Sequence, residues 1–128
     1  MRDFKDLIVW QRSCEAARGA YLSSKRFPAD EKDGLTSQVR RAAISVSANI
    51  AEGWARYNRR DQARFYRIAS SSAAELECLM ILAGQLDMLT ADDAERVASL
   101  AREVQRMLTA MIRHNLSDEP PEPPTPSP

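Results

Sequence analysis

The stretch Leu35-Thr-Ser-Gln-Val39-Arg-Arg-Ala42-Ala43-Ile-Ser-Val46-Ser-Ala-Asn-Ile50-Ala-Glu-Gly53 repeats apolar residues at spacings of three and four. That is the period of one helix face, and it does not fit the two-residue alternation of a half-buried strand. Between the stripe residues, Ser45, Ser47, Ala48 and Ala51 are small enough for a neighbouring backbone to come close. The segment therefore reads as a helix that packs on other helices. It begins either in the acidic run Asp30–Asp33 or after Gly34, and ends near Gly53.

The same period recurs on both sides. Upstream, Asp3–Ser24 carries Phe4, Leu7, Ile8, Cys14, Ala17 and Tyr21, and Pro28 stops it because a prolyl ring clashes with a continuing turn. Downstream, Asn58 with Asp61 forms a capping pair that opens a third helix. Its expected stripe is Phe65, Ile68, Ala69, Ser72, Leu76, Leu79, Met80, Ala83 and Leu86. Thr90 with Asp93 repeats the signature for a fourth helix, lined by Val97, Leu100, Ala101, Val104, Leu108 and Met111. Glycine is scarce, and every proline except Pro28 lies beyond residue 119. Short connections make sequential helices antiparallel neighbours. The expected fold is all-α, an antiparallel up-and-down four-helix bundle over residues 1–116.

Residues 117–128, Ser-Asp-Glu-Pro-Pro-Glu-Pro-Pro-Thr-Pro-Ser-Pro, cannot build a core. A disordered proline-rich acidic tail that samples polyproline II is expected there. Composition favours a solubilising tail over one that docks on an SH3-like partner. Formal net charge is zero, with 18 basic and 18 acidic groups, but Asp118, Glu119 and Glu122 sit in this tail. The bundle is thus mildly basic, short of the density of a dedicated DNA-binding domain.

A domain of this size buries roughly 65–70% of its unfolded surface and needs no disulfide or metal to hold it. Cys14 and Cys78 have no CxxC or Cys/His spacing, and both read as reduced thiols among apolar helical residues. The start of the chain lacks the apolar core of a signal peptide, and no run approaches the ~20 apolar residues of a membrane span. A cytoplasmic location with no membrane partner is expected.

Catalytic signatures are missing. The single histidine, His114, sits in the last turn of the fourth helix, where an imidazole complements the helix dipole. No P-loop, no GxGxxG and no Glu-x-x-His pair is present. The expectation is a non-enzyme with no catalytic residues, no metal and no cofactor.

Two constellations stand out instead. Arg56, Arg59, Arg60, Arg64 and Arg67 cluster at the second connection with Tyr57, Phe65 and Tyr66 among them, opposed only by Asp61. Arginines beside aromatics suit phosphate contacts and base stacking. A solvated face, paired with Asp30–Asp33, is the plainer alternative. The second set is Arg40, Arg41, Asn49, Glu52 and Glu75, polar residues on or near the small-residue face. Buried carboxylates require partners, so these five read as a polar network that sets helix register or a subunit interface. Trp10, Trp54 and Ile81 fall off the inner stripes and Leu82 lies at their edge, which hints at a second buried face.

These residues carry a family pattern. Phe4-Lys-Asp-Leu-Ile-Val-Trp10-Gln, Phe27-Pro28 with Glu31, Gly34-Leu-Thr-Ser-Gln38-Val-Arg-Arg41-Ala, Ser45, Asn49-Ile-Ala-Glu52-Gly53 and Ile68-Ala-Ser-Ser-Ser72-Ala-Ala-Glu75-Leu-Glu77 occur in order over most of residues 4–86. The chain resembles the 23S rRNA intervening-sequence protein family. Departures are Ser47 in place of a frequent proline, and Ala55 and Ser71 in place of glycines. The resemblance implies a four-helix bundle that forms ring-like homo-oligomers, typically homopentamers. It also implies kinship with accessory variability determinants of diversity-generating retroelements, which bind a reverse transcriptase and RNA through basic surfaces. The functional expectation is an oligomeric accessory or adaptor protein that binds RNA or DNA. The alternative is a scaffold for a protein partner, such as a reverse transcriptase, without nucleic acid.

Overall fold

The computed structural model describes residues 3–117. The expectation of a disordered tail falls almost wholly on residues outside that range. Four helices account for most of the described chain: α1 Ile8–Ser24, α2 Leu35–Ala55, α3 Arg59–Gln85 and α4 Ala91–Ser117. Each packs on the next, and α1 also packs on α4, which closes an up-and-down bundle. At 1.5 Å per residue, the 27-residue α3 and α4 are each about 40 Å long.

Local chemistry explains the boundaries. Asn58 accepts a hydrogen bond from the Asp61 amide at 2.8 Å, and Thr90 Oγ1 accepts from the Asp93 amide at 3.1 Å. Each satisfies one of the amides that a helix start leaves unpaired. At the end of α3 the chain turns through Asp87, at a φ of 61°. The Met88 amide donates to the Ala83 carbonyl and the Asp87 amide to the Gly84 carbonyl, a Schellman closure. Asn58→Ala should lower stability by about 1 kcal/mol in urea unfolding, the usual worth of an N-cap. A loss below ~0.3 kcal/mol would show that the cap is redundant.

The first helix differs from expectation. Asp3 caps a short 3-10 turn, Phe4–Asp6, Leu7 is extended, and the α-helix starts only at Ile8. The break rotates the buried stripe onto Val9, Ser13, Ala16, Ala20 and Ser23, and leaves Ile8 60% exposed. Ser13 enters the core because its hydroxyl donates to the Trp10 carbonyl at 2.6 Å and shares a hydrogen bond with Ser47 Oγ at 2.9 Å. A stripe counted from apolar residues alone overlooks such serines. In α2 the six expected stripe residues are all buried, and the helix begins after Gly34.

In α3 the expected stripe holds at Ala69 and from Leu76 to Ala83, and departs from expectation at the other positions before Leu76. Ala63, Tyr66, Ala69 and Ala73 are buried, Phe65 is half-buried, and Ile68 is exposed. Leu86 is also exposed. The cause is Gly53 on α2: a β-carbon there would stand 2.7 Å from Tyr66 Cε1. The missing side chain opens the slot that the tyrosine ring occupies.

The core has two parts. The upper part gathers alanines with Phe27, Leu35, Val39, Leu76, Leu79, Met80, Leu89 and Val97. The lower part joins Leu7, Val9, Val46, Ile50, Tyr66, Val104 and Leu108. Trp10 and Trp54, expected off the inner stripes, pack half-buried against this lower part, and Phe4 meets Trp10 edge to face at 5.1 Å between ring centroids.

Candidate functional site

The α2–α3 connection is three residues long, so everything around it is held close to two helix ends. Arg56, Arg59, Arg60, Arg64 and Arg67 are all exposed. Arg60, Arg64 and Arg67 share one face of the first turns of α3 at spacings of four and three. Half-buried Phe65 organises part of the cluster: the Arg56 and Arg64 guanidinium carbons lie 4.6 and 5.1 Å from its ring centroid. Such stacking holds a guanidinium flat while its edge stays open to a phosphate. Arg56 is also paired with Glu52 one turn earlier. Arg64 and Arg67 have no carboxylate partner among the described residues. Tyr57, in the connection just before α3, is fully exposed.

Asp30 and Asp33 do not neutralise this cluster. They lie in the α1–α2 connection, at the other end of an up-and-down bundle, and are exposed there. The basic surface and the acidic run are separated by the length of α2.

The five polar residues expected to form a network are not joined to one another within the chain. Arg40 Nε donates to Ser24 Oγ at 2.9 Å and its guanidinium lies 4.8 Å from the Tyr21 ring centroid. Asn49 Nδ2 donates to the Ser45 carbonyl at 2.8 Å, and Ser45 Oγ bonds Ser72 Oγ at 2.7 Å, which bridges α2 to α3. Glu52 pairs with Arg56. Arg41 and Glu75 are exposed and make no hydrogen bond or ion pair among the described residues. Ser24 and the Ser45–Ser72 pair, which the expected network did not include, supply the partners across helices.

Sequence reasoning left Glu77 out of the network, although its carboxylate, like that of Glu103 bonded to Arg12, finds partners across helices. Glu77 accepts from Arg102 Nη1 and from Gln105 Nε2, each at 2.9 Å. The Gln105 hydrogen bond, followed by Arg102, holds its carboxyl below the usual range against the cost of burial. The signal was present as an acidic residue on α3 facing Arg102 and Gln105 on α4, but only the pairing of the two helices makes it readable.

The second missed feature is an apolar groove of about 720 Å³ at the same end as the arginines. Val9, Trp54, Tyr66, Met107, Met111 and His114 form most of its wall, drawn from all four helices. Burial in this wall raises the Tyr66 hydroxyl pKa above the ordinary value. Asn115 closes one rim. Its Nδ2 donates to the Arg59 carbonyl at 3.3 Å and to Gln62 Oε1 at 2.9 Å, tying the end of α4 to the start of α3.

Among the described residues no group of His, Cys, Asp and Glu is arranged to hold a metal ion. No helix there is long and apolar enough to cross a membrane. Cys14 and Cys78 are free thiols.

Fold and surfaces together define a class: a small antiparallel four-helix bundle with one arginine-rich end. The chain belongs to the 23S rRNA-intervening sequence protein family, whose pattern it matches over residues 5–110. Among solved structures it is similar to a protein with unknown function from the S23 ribosomal protein family of Bacteroides thetaiotaomicron VPI-5482. The two share 24% identity with a TM-score of 0.75, over 83% of this chain and 99% of that one. That likeness bears out the bundle. No curated protein matches the chain significantly.

Proposed function

We propose that the chain is a non-enzymatic accessory protein that assembles with its own copies and binds RNA or DNA through Arg56, Arg59, Arg60, Arg64 and Arg67. The observation that carries this reading is the face of α3 where Arg64 and Arg67 lack carboxylate partners among the described residues, with Arg64 stacked over Phe65 and exposed Tyr57 in the connection just before α3. Phosphate oxygens would meet the guanidinium edges, and an unpaired base could stack on Tyr57. Self-assembly is supported by Ile81 and Leu82, both exposed on one side of α3 around Cys78. Arg41, Ile44 and Glu75 lie on the outer faces of α2 and α3, where a neighbouring copy would cover them. Five copies in a ring, the arrangement implied by the family resemblance, would repeat a modest patch and raise avidity without any new contact.

Two measurements test the reading. Light scattering should give a mass several times 14.4 kDa, and a clean monomer at micromolar concentration would remove the oligomer. Titration of a fluorescent single-stranded RNA against salt should show log affinity falling with log salt at a slope of roughly −2 to −3, from three or four phosphate contacts. An oligomer that binds no nucleic acid at low salt would move the conclusion to a protein scaffold, with a reverse transcriptase as one candidate partner.

A further inference from the structure

We propose that the groove between Trp54, Tyr66, Met107 and Met111 is the docking site for this chain's own acidic, proline-rich segment, residues 118–128. Four observations converge on that occupant.

The first is position. The segment follows α4 directly after Ser117, and Asn115 and His114, two and three residues earlier, line the groove. The second is reach. Eleven residues in polyproline II span about 34 Å at 3.1 Å each. The groove residues of α4, Met107 to His114, lie within about 15 Å of Ser117 along the helix axis.

Third, the chemistry of the segment fits an apolar trough. Six of its residues are proline. A prolyl residue has no N–H to strand without a partner, and its preset backbone loses little freedom on docking. Proline-rich segments accordingly dock in grooves with aromatic walls, and half-buried Trp54 supplies an aromatic wall here. Met107 and Met111 add unbranched side chains that adapt to an irregular surface.

Fourth, the charges match. In sequence, Asp118 and Glu119 come directly after the helix end whose Asn115 bonds the Arg59 carbonyl, so a docked segment would present two carboxylates to the end of the bundle that carries Arg59 and Arg60. Glu122 comes three residues after Glu119, among the prolines. In this arrangement the tail carboxylates compete with phosphate for those arginines. That consequence rests on the nucleic-acid reading; the docking itself does not.

The experiment uses the full chain with ¹³C-methyl methionine, read by NMR. Met107 and Met111 report on the groove, and Met80 in the upper core serves as the control. Replacing Pro120, Pro121, Pro123 and Pro124 by serine should shift the Met107 and Met111 methyl signals and leave Met80 in place. Unchanged Met107 and Met111 signals would overturn the proposal. A nitroxide at Ser127→Cys, with Cys14→Ala and Cys78→Ser, should broaden Met107 and Met111 of its own molecule. In mixtures where the nitroxide is confined to copies without ¹³C, broadening would assign the groove to another copy's tail and overturn docking in cis. An Asp118→Asn, Glu119→Gln, Glu122→Gln chain should bind single-stranded RNA about tenfold more tightly at low salt. Because the methyl readout needs no nucleic acid, it decides what fills the groove even if the chain binds none.

Discussion

A chain carrying Arg60→Glu, Arg64→Glu and Arg67→Glu should lose roughly two to three orders of magnitude in affinity for single-stranded RNA near 0.1 M salt. Each phosphate contact with a single strand releases about 0.7 of a counterion, so three lost contacts remove about two log units at that salt. Reversed charges then repel the strand, which deepens the loss. The salt slope should fall by about 2 in the same titration. These side chains sit on the exposed face of α3, opposite Ala63, Tyr66 and Ala69, so helicity and assembly mass should stay as they are. A triple lysine variant separates charge from shape. It keeps the net charge but loses the Arg64 guanidinium, one of the two over Phe65, and should weaken binding by several-fold only. Unchanged affinity in the glutamate variant would remove this surface from the binding site.

The second large effect is on stability. Gly53→Ala should cost about 2 kcal/mol, although helix propensity by itself favours alanine by roughly 1 kcal/mol. The new β-carbon would lie 2.7 and 2.9 Å from two carbons of the Tyr66 ring and 3.2 Å from the Gln62 carbonyl oxygen. Neither obstacle can move easily. The ring is 2% exposed and locked in the lower core, and the carbonyl belongs to the α3 backbone. Overpacking of this kind typically costs about 1–3 kcal/mol. The steric origin is testable with a double-mutant cycle. In a Tyr66→Ala background, itself destabilised by about 3–5 kcal/mol, Gly53→Ala should become neutral or stabilising. Urea unfolding at one protein concentration measures all four chains, since assembly makes stability concentration-dependent. A Gly53→Ala chain more stable than the parent would show that α2 and α3 separate freely at this point.

The same contact shows where sequence reasoning reached its limit. Periodicity found all six stripe residues of α2, where apolar side chains dominate the face. In α3 it chose Phe65 and Ile68 over Tyr66, because nothing in α3 alone says that a glycine on another helix leaves room for a ring. In α1 it passed over Ser13, whose polarity is cancelled by a serine on α2. The arginine cluster was legible because its five members lie close together in the chain and a helical spacing aligns three of them. The network of Arg40, Arg41, Asn49, Glu52 and Glu75 depended on contacts between helices, and those contacts run through Ser24, Ser45 and Ser72, whereas Glu52 pairs with Arg56 on its own helix.

What the amino-acid order settled was whatever depends on neighbours within about one turn. This covers helical period, the Asn58 and Thr90 caps, the breaks at Pro28 and Gly34, and the placement of five arginines near one short connection. Backbone hydrogen bonding and capping act over those few residues, so they can be read along the chain. Tertiary packing decided which side of α1 and of early α3 faces inward, that Glu77 meets Arg102 and Gln105, and that four helix ends enclose a groove beside the arginines. Those outcomes depend on how closely two backbones approach, which is set by small residues such as Gly53 and Ser13 on helices far apart in sequence.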